Sequence, residues 1–274
     1  MSRPRLDKRL GQHHLTSGEV CRPLIEYLRP AGERVLEIGS GGGVLTRELL
    51  AAGAAAVWGW EVDPAWAAAL AADLGRGPDR PRVVLVVGDA LALEWRRLGG
   101  ARRPHLVAGN LPYNVATPII ERMLTGAPRG AVARAAFLLQ REVAERLVAR
   151  AGGRAYGALS VLVAAYAEAR LLGRVRPGAF RPPPKVDSAF VGLAPHPPPL
   201  PPAEMPAFLR TVGLAFAQRR KTLRNALGAA WGKDEAARAL ECAGVSPGAR
   251  AEELDLDAFL ALHRSRRDLA ADRR

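Results

Sequence analysis

The strongest indication of the fold is the stretch Arg34-Val35-Leu36-Glu37-Ile38-Gly39-Ser40-Gly41-Gly42-Gly43. Its first half is a short apolar run typical of a buried strand, and its second half is a glycine-rich turn before a predicted helix at 44–52. Glycines allow a tight turn and let the backbone approach a ligand without a Cβ in the way. Because the first turn of a helix offers free N–H groups, this unit predicts a binding site for a carboxylate or phosphate.

Strand-like and helix-like segments continue to alternate after this unit. Strands are predicted at 56–62, 82–87, 105–109, 135–139 and 189–193, and helices at 64–74, 117–124 and 141–150. This alternation predicts an α/β fold with a parallel sheet covered on both faces. A proline-rich run then interrupts the pattern, and only helices follow it, with breaks near 231–232 and 245–248. We therefore predict a first domain at 1–194, a linker at 195–202 and a helical C-terminal domain at 203–274.

Composition limits the classes of protein to which the chain can belong. The formal charge of +13 and the isoelectric point of about 10.9 favour a nucleic-acid partner. Cys21 and Cys242 are the two cysteines of the sequence, which argues against a disulfide framework or a cysteine-rich zinc site. The adjacent histidines His13 and His14 lack a nearby third ligand, so no metal is expected. With neither a long apolar run nor a signal segment, the expected location is the cytoplasm, without a membrane.

Two acids strengthen the case for a cofactor site at the glycine turn. Glu61 ends the second predicted strand, about 20 residues after Gly39, where nucleoside-binding α/β folds place an acid on the ribose hydroxyls. Gly88-Asp89-Ala90 follows the third strand, and its acid is suited to accept a hydrogen bond from an adenine amino group. This arrangement is typical of S-adenosylmethionine methyltransferases, and a nicotinamide cofactor is the rival interpretation.

The string Gly109-Asn110-Leu111-Pro112-Tyr113-Asn114 follows the fourth predicted strand. By itself it fits a β-turn with a buried tyrosine, but after a glycine turn and two acids it favours a base-binding site. An aromatic amine such as N6 of adenine is a weak nucleophile and needs acceptors for its N–H groups. The Asn110 side-chain oxygen and a carbonyl near Leu111 or Pro112 would supply them, and Tyr113 would stack on the base. Proximity to a sulfonium methyl would then provide most of the catalysis.

Seven motifs together make the chain resemble the KsgA-type ribosomal RNA small-subunit adenine N6,N6-dimethyltransferases, from about Leu10 to about Leu262. Besides the glycine turn and Asn110-Leu111-Pro112-Tyr113-Asn114, they are Gly11-Gln12-His13-His14-Leu15, Leu139-Gln140-Arg141-Glu142-Val143, Ala155-Tyr156-Gly157, Phe180-Arg181-Pro182-Pro183-Pro184-Lys185-Val186-Asp187-Ser188 and Phe216-Ala217-Gln218-Arg219-Arg220-Lys221-Thr222-Leu223-Arg224. One departure is His13-His14, where the family usually has Asn-Phe.

The resemblance implies a Rossmann-like class I S-adenosylmethionine methyltransferase sheet with an antiparallel last strand and a small C-terminal helical domain. It implies dimethylation of two adjacent adenosines near the 3′ end of 16S rRNA, with a role in ribosome biogenesis. The cofactor-binding residues it implies are His13, Leu15, Gly39, Gly41, Glu61, Asp89, Ala90 and Asn110. The catalytic residues it implies are Asn110, Leu111, Pro112, Tyr113 and Phe180, with Phe180 stacking on the second face of the base.

Basic clusters predict the RNA contacts. The residues assigned to RNA are Arg141, Arg181, Lys185, Arg219, Arg220, Lys221 and Arg224. Arg170, Arg174 and Arg176 also flank the Phe180 segment, and the stretch 219–224 is predicted to lie on a helix. Such clusters neutralise phosphates, although some of these arginines are expected to form only a solvated face.

Three alternatives remain open from the sequence. An Erm-type 23S rRNA adenine N6-methyltransferase shares the fold, but those relatives more often carry Ile-Pro-Tyr at the position of Leu111-Pro112-Tyr113. A DNA adenine methyltransferase tends toward Asp/Asn-Pro-Pro-Tyr there. A non-catalytic RNA-binding ribosome assembly factor is the third, and the presence of Glu61, Asn110 and Tyr113 argues against it. The chain is expected to be a monomer.

Overall fold

The structure, a computed structural model, describes Pro4 and residues 11–75, 77–98, 105–218 and 220–271. Its strands are β1 His14–Leu15, β2 Arg34–Ile38, β3 Ala56–Glu61, β4 Val83–Val87, β5 Leu106–Asn110, β6 Arg134–Gln140, β7 Ala167–Val175, β8 Phe180–Arg181 and β9 Ser188–Pro195. Its α-helices are α1 Arg22–Leu28, α2 Val44–Ala51, α3 Pro64–Leu74, α4 Ala116–Gly126, α5 Arg141–Leu147, α6 Ala158–Tyr166, α7 Met205–Phe216, α8 Leu223–Trp231, α9 Lys233–Cys242 and α10 Leu256–Ala271.

A sheet in the order β4-β3-β2-β5-β6-β9-β7 positions the candidate site. Strands β2 to β6 pair in parallel, which requires crossovers, and helices α2, α3 and α4 occupy three of them. Strand β9 lies antiparallel between β6 and β7, so β7 runs in the same direction as β6. The order of the parallel strands reverses between β2 and β5, and a crevice at the carboxyl ends of such strands is where open α/β sheets bind ligands.

The chain divides into two compact units. The first contains Met1–Ala144 and Ala167–His196, and its core is formed by buried side chains such as Leu24, Leu49, Val57 and Phe190. The second contains Glu145–Tyr166 and Pro197–Arg274 and has a separate core. The sequence analysis assigned 145–166 to the first domain, and the structure differs there. Helix α6 (Ala-Leu-Ser-Val-Leu-Val-Ala-Ala-Tyr) is apolar on most of its faces, and Val161 and Ala165 pack into the core of the second unit.

Most predicted elements are present with shifts of one or two residues at their ends. The prediction omitted α1, α6 and β7, and the helix predicted at 141–150 ends at Leu147. One further prediction was wrong: Arg220 and Lys221 lie in the turn between α7 and α8, and of the predicted helical stretch only the residues from Leu223 onward are helical. Thr222 at the N-cap has an extended backbone, with a φ of -66° and a ψ of 156°, so the helix starts after it.

Cys21 is buried and Cys242 is exposed, and both are free thiols. No helix in the part of the chain that the structure describes is long and apolar enough to cross a membrane. The same described residues contain no group of three or more potential metal-ligating side chains.

Candidate active site

The glycine turn after β2 is held open by the backbone conformation of its glycines. Gly39, Gly41 and Gly43 have positive φ angles of 78°, 46° and 73°, which residues with a Cβ rarely adopt. A Cβ on Gly41 would lie 2.6 Å from the Cε1 atom of His14. Helix α2 then starts directly after Gly43, so the turn and the first helical N–H groups face the crevice at the carboxyl end of β2.

Glu61, at the end of β3, connects the glycine turn to this neighbouring strand through hydrogen bonds of its side chain. One carboxylate oxygen accepts a hydrogen bond from the Gly41 N–H at 2.8 Å, and the other accepts one from the Asp63 N–H at 3.0 Å. The side chain is buried, which raises its pKa, while the two backbone hydrogen bonds act in the opposite direction. Each carboxylate oxygen has a further lone pair, so Glu61 can still accept hydrogen bonds from ribose hydroxyls.

The segment 11–15 lies against the glycine turn. His14 accepts a hydrogen bond from the Gly42 N–H at its Nδ1 atom, at 3.1 Å, and its ring packs on Trp66 with the ring centroids 4.2 Å apart. The Gln12 amide donates to Asp63 at 3.2 Å. The residue where the family usually has phenylalanine therefore contributes an acceptor for the backbone as well as a ring.

Asn110, at the end of β5, is oriented by the same segment. Its Nδ2 atom donates to the His13 carbonyl at 2.7 Å, which leaves its Oδ1 atom as an acceptor toward the crevice. The Pro112 carbonyl already accepts two helical N–H groups, those of Val115 at 3.1 Å and Ala116 at 3.0 Å. The Leu111 carbonyl receives no hydrogen bond from the residues that the structure describes. Of the two carbonyls considered from the sequence, that of Leu111 is therefore the one that can accept a hydrogen bond from a ligand.

Tyr113 is fixed on two sides. Its hydroxyl forms a 2.7 Å hydrogen bond with the Ser188 hydroxyl at the start of β9, and its ring stacks on His13 with centroids 5.6 Å apart and an interplanar angle of 28°. The His13 ring in turn bonds through Nδ1 to the Pro182 carbonyl at 2.8 Å. Partial burial raises the pKa of Tyr113, so the residue is a neutral phenol that can stack on a base.

Glu37 is a second buried acid in the site. Its side chain is 1% exposed and accepts a hydrogen bond from the Thr46 hydroxyl at 2.6 Å. Burial, together with the nearby Glu61 carboxylate and against the hydrogen bond from Thr46, raises its pKa to about 8, so Glu37 is mostly protonated at neutral pH. It therefore adds little negative charge beside Glu61.

The structure brings together most of the residues that the sequence analysis assigned to the site. The predicted residues that line one pocket are His13, Leu15, Gly39, Gly41, Glu61, Asn110, Leu111, Pro112 and Tyr113. Three others do not line it. Asp89 is exposed and caps the turn after β4 by accepting from the Leu91 N–H at 2.8 Å, and Ala90 is buried behind it. Phe180 is 4% exposed and packs in the core of the first unit, so its role on the base stays a prediction.

The residues predicted to contact RNA are distributed over both units. Arg141, Arg181 and Lys185 are exposed in the first unit, and Arg141 lies 4.0 Å from Asp187. Arg220, Lys221 and Arg224 are exposed in the second unit, and Arg219 lies outside the described residues. Their contacts with RNA stay predictions.

The sequence analysis missed four residues of the site: Gln12, His14, Glu37 and Ser188. Glu37 and His14 were quoted inside motifs, but nothing in the sequence indicated their partners Thr46 and Gly42. Ser188 ends the motif that starts at Phe180, which is a signal of importance but does not specify a contact with Tyr113.

The parallel sheet, the glycine turn after its first long strand and the strand-end acid Glu61 define the Rossmann-like class of S-adenosylmethionine methyltransferases. Comparison with known proteins gives the family: the chain belongs to the family described as "Ribosomal RNA adenine dimethylase", which it matches over residues 4–266. This confirms the resemblance, the enzyme class and the predicted cofactor, S-adenosylmethionine.

Curated relatives and solved structures agree with this assignment. Proteins named "Ribosomal RNA small subunit methyltransferase A" are 42% identical in Acidithiobacillus ferrooxidans (94% of this chain, 94% of the relative) and 44% identical in Synechococcus sp. (93% and 91%). A dimethyladenosine transferase from Plasmodium falciparum has the same fold, with a TM-score of 0.76 at 23% identity over 91% of this chain and 96% of that one. The 23S rRNA methyltransferase ErmE gives 0.65 at 27% identity over 96% and 99%.

Proposed function

We propose that the chain dimethylates N6 of two adjacent adenosines near the 3′ end of 16S rRNA, within the small ribosomal subunit, and so takes part in ribosome biogenesis. The names of the relatives that are more than 40% identical, all small-subunit methyltransferases, support this substrate. The observation that carries the proposal is the pair of acceptors at the end of β5. The Asn110 Oδ1 atom and the Leu111 carbonyl are both available, beside the ring of Tyr113.

The cofactor side of the pocket has the groups that S-adenosylmethionine requires. Gly39 and Gly41 keep the turn free of side chains, and Glu61 offers carboxylate lone pairs to ribose hydroxyls. Bound there, S-adenosylmethionine supplies an electrophilic methyl group on a sulfonium centre. Asp89 has one carboxylate oxygen beyond the one that caps Leu91, so it can still receive an adenine amino group, as the resemblance implies.

On the substrate side, the residues of this chain orient the amine of the target base. An amine with two N–H groups needs two acceptors, and Asn110 Oδ1 and the Leu111 carbonyl provide them. When both N–H groups donate hydrogen bonds to these acceptors, the nitrogen lone pair points toward the methyl group, which is catalysis by orientation and electrostatics. Tyr113 holds the ring plane by stacking. The methylated amine is positively charged and releases one proton to solvent, so one N–H remains, and a single acceptor is enough to orient the amine again for the second transfer.

The target base has to leave its stack to reach the crevice, which costs least in a loop or single-stranded region of RNA. The basic residues of both units would hold the surrounding phosphates. The cytoplasmic location belongs to this proposal as well, since an enzyme of nascent small subunits works where they are assembled, and the monomer stays a prediction from the sequence.

Methyl transfer from labelled S-adenosylmethionine tests this function. The substrates are small subunits from a strain that lacks the modification and, in parallel, protein-free large-subunit rRNA. We expect labelled N6,N6-dimethyladenosine in the small subunit only. Label confined to large-subunit RNA would move the assignment to the Erm type, whose fold is also similar. Tight binding to the small subunit without label would indicate an assembly factor.

A further inference from the structure

A cleft of about 490 Å³ lies at the edge of the sheet in the first unit, outside the pocket described above. Apolar side chains, among them Val20, Pro23 and Val175, form part of its lining. Its charged lining residues are Arg22, Arg174, Arg176 and Glu19, all exposed. Three cations against one carboxylate make the cleft suited to a polyanion that also has an apolar face, such as a sugar–phosphate backbone.

The three arginines of this cleft form no ion pair with the residues that the structure describes. Other arginines nearby are engaged: Arg170, on the same strand, pairs with Glu168 at 3.1 Å and lies over the ring of Tyr27. The guanidinium groups of the cleft are therefore available to an external anion, and arginine binds phosphate with two parallel hydrogen bonds.

The sheet register connects this cleft to the candidate active site. Val175, at the end of β7, pairs with Ser188, and Ser188 pairs with Gln140 at the end of β6. The cleft and the pocket are thus both at the carboxyl edge of the sheet. Ser188 bonds to Tyr113, and Val175, which lies between Arg174 and Arg176, is its partner on the neighbouring strand. Because neighbouring strands lie about 4.8 Å apart, the backbone that carries the two arginines is about one strand spacing from Ser188.

We propose that this cleft binds the phosphates of the RNA backbone beside the target adenosine, with Arg22, Arg174 and Arg176 as the phosphate-binding residues. The proposal rests on the function proposed above, because it assigns a second contact to the same substrate. The RNA enters with one base in the pocket, and the adjoining sugar–phosphate segment follows the edge strand into the cleft. Arg174 and Arg176 belong to the basic cluster that the sequence places around Phe180, whereas Arg22 was not among the residues predicted to contact RNA.

Binding measured over a range of salt concentrations tests this contact. The probes are small subunits from a strain that lacks the modification and an RNA hairpin with two adjacent adenosines in its loop. The variant is R22Q/R174Q/R176Q in the full chain. We expect binding to weaken at least about tenfold, and the slope of log affinity against log salt to fall by about 2, since each lost phosphate contact removes about 0.7 to 0.9. S-adenosylmethionine affinity and the rate at saturating RNA should be unchanged.

The matched control is R29Q/R80Q/R129Q, which removes the same charge from exposed positions that precede β2, β4 and β6, at the opposite edge of the sheet. It should leave the salt slope close to that of the wild type. Equal slopes for the two triple variants would overturn the proposal, as would failure of the wild type to bind either probe. A wild type that binds without methylating, with slopes that still differ, would refute the proposed function while supporting the cleft.

Discussion

Replacing Ser188 with alanine should slow methyl transfer without unfolding the site. Ser188 is fully buried and its hydroxyl bonds to the Tyr113 hydroxyl at 2.7 Å. Its removal leaves that hydroxyl without its partner, which costs about 1–3 kcal/mol for a buried group. Because Tyr113 is only half-buried, water replaces part of the lost bond, and about 1–2 kcal/mol is the appropriate range. If this free energy is lost from the orientation of the Tyr113 ring in the transition state, the rate of methyl transfer decreases roughly 5- to 30-fold.

The assay is single-turnover methyl transfer to undermethylated small subunits at saturating S-adenosylmethionine, for Ser188→Ala, Tyr113→Phe and the double variant. Since both single changes remove the same bond, the double variant should cost no more than the larger single effect. Ser160→Ala is the matched control, because Ser160 is also buried and bonds to the Arg146 carbonyl at 2.6 Å in the second unit. It should lower thermal stability and leave the rate unchanged.

Two results would refute this reasoning about Ser188. One is a Ser188→Ala rate equal to that of the wild type. The other is a double variant whose loss equals the sum of the two single losses, because independent effects would mean that the hydroxyls do not act through their mutual bond.

Three further predictions concern stability and cofactor binding. Burial raises the pKa of Glu37 from 4.5 to about 8, so the folded state binds this proton more tightly than the unfolded state. The contribution of Glu37 to the free energy of unfolding should therefore be largest below about pH 4.5 and decrease as the pH rises toward 8. Denaturant titrations should show that Glu37→Gln removes this part of the pH dependence. Gly41→Ala should weaken S-adenosylmethionine binding about tenfold or more in calorimetry, because the added Cβ would clash with His14 at a residue whose φ is positive. In the control Gly130→Ala, φ is also positive but the space around the Cβ is open, so the free energy of unfolding should decrease while cofactor affinity is unchanged. Tyr156→Phe should lower the unfolding free energy by about 1 kcal/mol in a melt, by loss of its bond to a buried carbonyl, with cofactor affinity intact.

Local signals explain why the sheet and the glycine turn could be predicted from the sequence. The strand at 34–38 is a short apolar run, and Asp63-Pro64 marks the start of α3 with an N-cap that the structure contains. Strand β7 was missed because its sequence, Ala-Glu-Ala-Arg-Leu-Leu-Gly-Arg-Val, lacks a clear alternation, and a register shift between Leu171 and Gly173 interrupts it. Its pairing with β9 is a tertiary contact that no local pattern specifies.

The candidate site shows the same division between local and tertiary information. Glu61 and Asn110 were predictable because each ends a strand of a parallel sheet, where such side chains meet. The bond from Tyr113 to Ser188 was not, since it depends on β9 inserting antiparallel beside β6. From the sequence, the carbonyls of Leu111 and Pro112 were both possible acceptors for the base. The structure distinguishes them, because the Pro112 carbonyl already accepts hydrogen bonds from two backbone N–H groups at the start of α4.

Mass spectrometry of the 3′ fragment of 16S rRNA tests whether Asn110 and the Leu111 carbonyl orient an adenine amine for two methyl transfers. Undermethylated small subunits are incubated with S-adenosylmethionine and either the wild type or Asn110→Ala. We predict that the wild type produces N6,N6-dimethyladenosine at two adjacent positions and that Asn110→Ala produces almost none, even at S-adenosylmethionine concentrations that saturate the variant. An Asn110→Ala variant that dimethylates both adenosines at the wild-type rate would show that the Asn110 side chain does not orient the amine.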